Sequence, residues 1–493
     1  MYIKKVIHCF LMFFFCVTFS PLPAHALPGP VPAVPAPSSV PAKGQPESEG
    51  LDIVLLMDSS GSMRKTDPHN YRKDAAKLMI SLLGHDDRIG IVSFGDAAKT
   101  LLPLTQNQKE NRGKFFAAVK KISSKEFSTH IFEGVQTGYE ELKKSQRKNR
   151  ILLLMSDGKL TLGSKEKEEA AHAALTKLLP ELAKQNIKLY SVAFTDLSDV
   201  KLLENLAKET GGFFRFAKAD KDVHVMFASM FEKMKSPDSI PLEGETFTID
   251  KNIREAVLLI TKKAGTSTVL TDPAGGKSTA ARFAKNIKWY EAKVFDMITI
   301  SEPAVGKWKV KLSSKEGNRV FVLTNLRLRT SFDRSFVGRG EAVTIDAWLE
   351  KEGGAVTEKT VLEKVAFGGD LTSPDSKPSK LDLADTGREG KYAGKITASS
   401  SGEYVVKLTA EGKTFKRERV LHFKAAEQPA APPVEKKAAP ASEPKKKAAE
   451  EAVPWRTIMI QFGLINLSLL GIIGVVFLVK WIAAKRKGKG GRE

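Results

Sequence analysis

Between residue 51 and about residue 235, short apolar runs alternate with segments of helical period. The runs 51–57, 88–94, 151–156, 187–194 and 213–216 have the length of strands. The segments 71–83, 111–122, 131–144, 165–185, 200–209 and 222–234 read as helices; in 71–83 the apolar side is Ala75, Leu78, Met79 and Leu82. This alternation leaves few folds open. Strands buried on both faces read as continuous apolar runs, and the helices between them cover a mostly parallel sheet from both sides. The expectation for residues 50–236 is an α/β domain with a doubly wound, mostly parallel sheet.

After about Pro241 the helical period stops. Turn signals recur instead: Asp272-Pro273-Ala274-Gly275-Gly276, Glu316-Gly317-Asn318, Glu352-Gly353-Gly354 and Thr386-Gly387-Arg388. Alternating runs such as 343–349 and 403–408 lie between them. That spacing predicts two all-β, immunoglobulin-like sandwiches, over 240–330 and 331–424. Gly306-Lys307-Trp308-Lys309-Val310 and Gly402-Glu403-Tyr404-Val405-Val406 sit at similar late positions, which hints at two related modules.

Both ends carry targeting signals. Residues 1–26 read as a signal peptide: Lys4 and Lys5, an apolar stretch, then Ala24 and Ala26 at the small-residue cleavage positions. The two cysteines, Cys9 and Cys16, both fall inside it, so the processed chain has no disulfide and no thiolate site. Phe15 before Cys16 argues against lipidation there. Residues 27–49 form a Pro/Ala-rich linker, and 425–455 a Pro/Ala/Lys-rich stalk. Residues 457–479 contain no charged side chain. At ~1.5 Å rise per residue such a C-terminal transmembrane helix crosses a ~30 Å hydrocarbon core. Trp455 and Trp481 flank it, and the basic tail 480–493 fits the cytoplasmic side. The expectation is a single-pass cell-membrane protein with its N-terminal domains outside the cytoplasm, in a periplasm or on the cell surface. Its formal charge of +21 is therefore not read as nucleic-acid binding; anionic surfaces suit it better.

The chemistry lies in three segments. The first strand ends in Asp58-Ser59-Ser60-Gly61-Ser62. The second segment, Phe127-Ser128-Thr129-His130, precedes a helix, and the third, Met155-Ser156-Asp157-Gly158, ends the central strand. Ligand sites of open α/β sheets lie beyond the carboxyl ends of the strands. Carboxylates and hydroxyls converging there offer hard oxygens, which suit Mg²⁺, with Ca²⁺ or Mn²⁺ as alternatives. In this order the segments resemble the metal-ion-dependent adhesion site of von Willebrand factor type A domains. Asp58, Ser60, Ser62, Thr129 and Asp157 fill the five positions of that pattern. The resemblance implies a cation that accepts a Glu or Asp carboxylate from a protein partner, and in some members a shift of the last helix, here about 222–234.

Neighbouring residues carry plainer readings. His130 reads as a surface or packing histidine, Asp67 as a helix cap, Ser59 as pointing away, and Asp196 and Asp199 as rim residues. Gln461 and Asn466 are candidates for helix association within the span. The chain lacks His-Glu-x-x-His, Gly-x-Ser-x-Gly and Gly-x-x-x-x-Gly-Lys-Ser/Thr motifs. The sequence therefore points to a protein-binding or adhesion module that is not an enzyme and takes no small-molecule substrate. The alternatives are an envelope scaffold, in which the metal only stabilises the domain, and a metal-dependent hydrolase, which would need a catalytic base that the sequence does not display.

Overall fold

The computed structural model describes residues 50–427, apart from 264, 376, 377 and 389. The expected signal peptide, the linker, all but the first residues of the stalk, the transmembrane helix and the basic tail lie outside the described residues.

The first domain is built on a six-stranded sheet. Its strands are β1 (Asp52–Asp58), β2 (Arg88–Phe94), β3 (Lys99–Gln106), β4 (Arg150–Ser156), β5 (Ile187–Phe194) and β6 (Phe214–Ala217). They lie in the order β3-β2-β1-β4-β5-β6, and only the β2–β3 pair is antiparallel. The helices are α1 (Met63–Thr66), α2 (Tyr71–Leu82), α3 (Arg112–Lys121), α4 (Ile131–Lys143), α5 (Lys165–Lys184), α6 (Val200–Glu209) and α7 (Val223–Lys235).

Every residue of β1 is buried, because successive side chains serve opposite faces. Ile53, Leu55 and Met57 pack with α2, α3 and α7, whereas Val54 and Leu56 pack with α4, α5 and α6. Helix α4 comes very close to the sheet. A Cβ at Gly134 would stand 2.8 Å from Phe94, and one at Gly138 2.6 Å from Leu56. Strand β3 was not legible as a strand: its half-exposed edge sequence contains Pro103. An edge tolerates proline because one side of its backbone has no ladder to complete.

Two pairs of sheets follow. In the first, sheets that include Ile253–Thr261 and Gly306–Lys311 enclose a core with Leu258, Ile260, Ile298, Trp308 and Val310. In the second, sheets that include Ala342–Lys351 and Gly402–Glu411 enclose a core with Ile345, Leu349, Tyr404 and Phe423. Strand Leu326–Arg329 pairs with Ala342–Lys351, so the second pair starts before the expected residue 331.

The two modules share a device. Gly306 and Gly402 both have φ of 135°, each against a proline, Pro273 and Pro374. Two residues on, Trp308 Nε1 donates to Ala304 O at 2.8 Å, and Tyr404 OH donates to Ser400 O at 3.0 Å. Each buried ring is thus tied to the carbonyl four residues before it. The first domain does not stand apart from these sheets. Its α2–α7 core runs on into Leu259, Phe295, Met297 and Phe321 of the first pair.

Candidate functional site

Asp58 closes β1, and Asp157 follows the last residue of β4. These neighbouring strands flank the point where the chain's path across the sheet reverses, the usual place for a ligand. Both carboxylates are buried. Asp58 Oδ1 accepts from the Ser60 amide at 2.7 Å, and its Oδ2 from Ser156 Oγ at 2.6 Å. Ser60 Oγ and Ser62 Oγ lie 2.9 Å apart. Thr66 Oγ1 of α1 donates to Asp157 Oδ2 at 3.3 Å, while Asp157 Oδ1 is buried with no hydrogen-bond partner among the described residues.

Thr129 is held by its backbone between the other two segments. Its amide donates to Thr161 O at 3.0 Å in the loop after β4, and the His130 amide donates to Gly95 O just past β2. Upstream, the Gly61 amide donates to Glu126 O at 2.6 Å, and the Glu126 amide to Ser59 O. The loop before α4 is thereby stitched to the turn that carries Ser60 and Ser62. The Thr129 side chain is buried.

Burial, and then the charge of Asp157, push the Asp58 carboxyl up to about 6; the hydrogen bonds from Ser156 and Ser60 offset part of that rise. Among the described residues no basic side chain is within ion-pair distance of either carboxylate.

The neighbours fall into place around this centre. Ser59 turns away: its Oγ is 2.7 Å from Ser93 Oγ. Asp67 accepts from the Tyr71 amide at the start of α2 and also binds the buried Arg72 guanidinium at 2.5 Å. Asp199 caps α6, and its amide donates to Asp157 O at 2.9 Å. Asp196 is exposed. His130 is half-buried, 3.4 Å from Glu133.

Residues 52–229 match the model of the von Willebrand factor type A domain. They form a von Willebrand factor type A domain. Over 188 residues the chain is 26% identical to an uncharacterised protein of Synechocystis, covering 38% of this chain and 42% of that one. Over 204 residues it is 24% identical to inter-alpha-trypsin inhibitor heavy chain H3 of Homo sapiens, covering 38% of this chain and 21% of that one. The chain thus spans less than half the length of these curated relatives. Among solved structures, a von Willebrand factor type A protein from Catenulispora acidiphila is 14% identical with a TM-score of 0.34, covering 62% of this chain and 64% of that one. Type A domains are in general modules of protein interaction and adhesion.

The residues of this type A domain fit a hard divalent cation. Two buried carboxylates with no basic partner, one oxygen unbonded, and hydroxyls tied to the same turn make an all-oxygen donor set. Several supporting groups were missed in the sequence: Ser156, Thr66, Glu126 and the Asp199 amide. Ser156 could have been noticed as the hydroxyl adjoining Asp157. The others depend on contacts between distant segments.

Proposed function

We propose that the type A domain captures a protein partner through a divalent cation, Mg²⁺ in the first instance with Ca²⁺ or Mn²⁺ as alternatives. Asp58, Ser60, Ser62, Thr129 and Asp157 would hold the ion. Bound there, it supplies an electrophilic site for a Glu or Asp carboxylate of the partner. The observation that carries this reading is the pair Asp58 and Asp157. Two carboxylates buried side by side without a cation repel one another and lose their hydration, so the arrangement favours a positive charge between them. The site binds rather than catalyses. The two sheet pairs are read as immunoglobulin-like spacers; the shared Trp308 and Tyr404 anchors support their kinship. The 457–479 segment anchors the chain in a membrane, with these domains outside the cytoplasm.

The test is capture of partners from detergent-solubilised membranes by wild type and Asp58→Ala, in Mg²⁺ and in chelator. Capture lost in both Asp58→Ala and chelator supports the reading. Capture indifferent to both, with metal altering thermal stability alone, would favour a scaffold instead.

A further inference from the structure

A groove of about 620 Å³ is lined by residues that neighbour the candidate cation site along the chain, though by none of its five residues. Arg64, two residues after Ser62, forms part of its wall, and its Nη1 donates to Ser124 O at 2.7 Å. Lys73, Lys120, Lys121 and Lys125 also line it. Arg64 follows the turn that bears Ser60 and Ser62, and Lys125 adjoins Glu126, whose carbonyl accepts from the Gly61 amide of that turn, so the groove neighbours it.

Little of its charge is paired within the lining. The one carboxylate in its lining, Asp67, is fully buried and paired with Arg72. None of the five cations makes an ion pair with a described residue. Burial, followed by the positive charges of Arg72 and Lys77, pushes the Lys73 ammonium down from its usual value against the opposing pull of Asp67 and Asp74. Like charges gathered in a recess repel one another, and an anion entering it relieves that repulsion.

We propose that the groove is an anion-binding extension of the cation site, and that the partner presents an acidic protein segment. One carboxylate of the segment meets the cation and further Asp or Glu side chains occupy the groove. The inference rests on the proposed cation reading, because it is the shared turn that links the two sites. A peptide rich in Asp and Glu supplies both kinds of contact from one strand of chain. A flat anionic membrane meets the rim of a recess but does not fill it.

The probes are two labelled peptides of equal length, one of glutamates throughout and one with a single glutamate among serines. Their binding to the full chain is read by fluorescence anisotropy in Mg²⁺, for wild type, for Lys120→Glu with Lys121→Glu, and for Lys125→Glu. All three lysines are exposed, so folding should survive, and a melting curve checks it. The expected result is tighter binding of the all-glutamate peptide. The double reversal should weaken it about tenfold and leave the single-glutamate peptide unchanged. Added salt should weaken the all-glutamate complex most. Unchanged affinity in both reversal variants overturns the proposal. So does tighter binding of heparin than of the all-glutamate peptide, which would assign the groove to a sulfated glycan. Glutamate binding that survives chelator but falls on reversal keeps the groove and removes the cation reading. Binding that needs Mg²⁺ but ignores reversal does the opposite.

Discussion

Glu232 of α7 reaches Arg319 across the seam between the type A domain and the first sheet pair, Oε1 to Nε at 2.6 Å. Its Oε2 lies 2.6 Å from His422 Nε2, on a strand of the second pair. One carboxylate therefore ties the last helix of the type A domain to both β modules. Phe231 stacks edge-on against Phe321 beside it. Removing one partner of a buried ion pair leaves the other charged and unpaired. Glu232→Ala should therefore cost about 3–5 kcal/mol in denaturant unfolding. A loss below about 1 kcal/mol would show that the seam does not depend on this carboxylate.

The same cluster sets a pH response. Burial alone would raise the Glu232 carboxyl, but Arg319 and His422 outweigh it and hold it at about 2. Its folded value is below its unfolded one, so its contribution is complete above about 4.5 and is lost as the pH falls toward 2. Burial lowers the His422 imidazole below its ordinary 6.5. Protons then favour the unfolded chain already below pH 6.5, so both groups act in the same direction. Stability should fall on acidification from pH 6.5, and less steeply in His422→Gln. Melting curves at stepped pH check this, and a flat profile down to about pH 4 would contradict it.

Metal should act through Asp58 and Asp157. At a hundred times its dissociation constant a cation that binds only the folded state adds about 2.7 kcal/mol. Mg²⁺ or Mn²⁺ should raise the melting temperature of wild type, and Asp58→Ala should abolish the rise. A rise of equal size in both would place the ion elsewhere.

Phe127 is 92% exposed, two residues before Thr129. Its backbone is nevertheless tied down. Asp96 Oδ1 accepts from the amides of Phe127 and Ser128 at 3.0 and 2.7 Å, and Glu126 Oε2 accepts from the Asp96 amide at 2.8 Å. A large apolar side chain carried into water on a tied backbone beside the site suits contact with a partner. Phe127→Ser should leave stability within about 0.5 kcal/mol and weaken partner capture. Asp96→Ala should speed amide hydrogen exchange at Phe127 and Ser128. Unaltered exchange would mean that the loop is held by other contacts.

Much of the first domain was legible because its helices and inner strands carry unbroken periods. Arg88–Phe94 and Val200–Glu209 lie where the pattern placed them. Asp58 and Asp157 stand out in the sequence because one closes an apolar strand and the other directly follows one. The β3 edge was hidden by its polarity and Pro103. The stitching of Thr129 to Thr161 and Gly61 to Glu126 was hidden for another reason: backbone bonds between loops leave no side-chain pattern. The α7 seam leaves a trace in the sequence. That helix is buried at Phe227, Ala228, Met230 and Phe231, more of its circumference than one packing face requires.

The close approach of α4 gives the last prediction. Thr129 lies two residues before α4, so the depth at which the helix seats on the sheet sets where Thr129 stands. Gly134 and Gly138 permit that depth, since a Cβ at either would overlap Phe94 or Leu56. Gly134→Ala should push α4 outward and cost about 1–3 kcal/mol through overpacking. It should also weaken the Mg²⁺-dependent rise in melting temperature, although residue 134 touches no candidate ligand. Gly113→Ala on α3 is the control. Nothing lies within 4 Å of its added Cβ, so alanine there should be neutral or stabilising by about 0.5 kcal/mol and leave the metal response intact. If Gly134→Ala destabilises the domain but the metal response matches wild type, Thr129 is positioned by its loop bonds and not by the seating of α4.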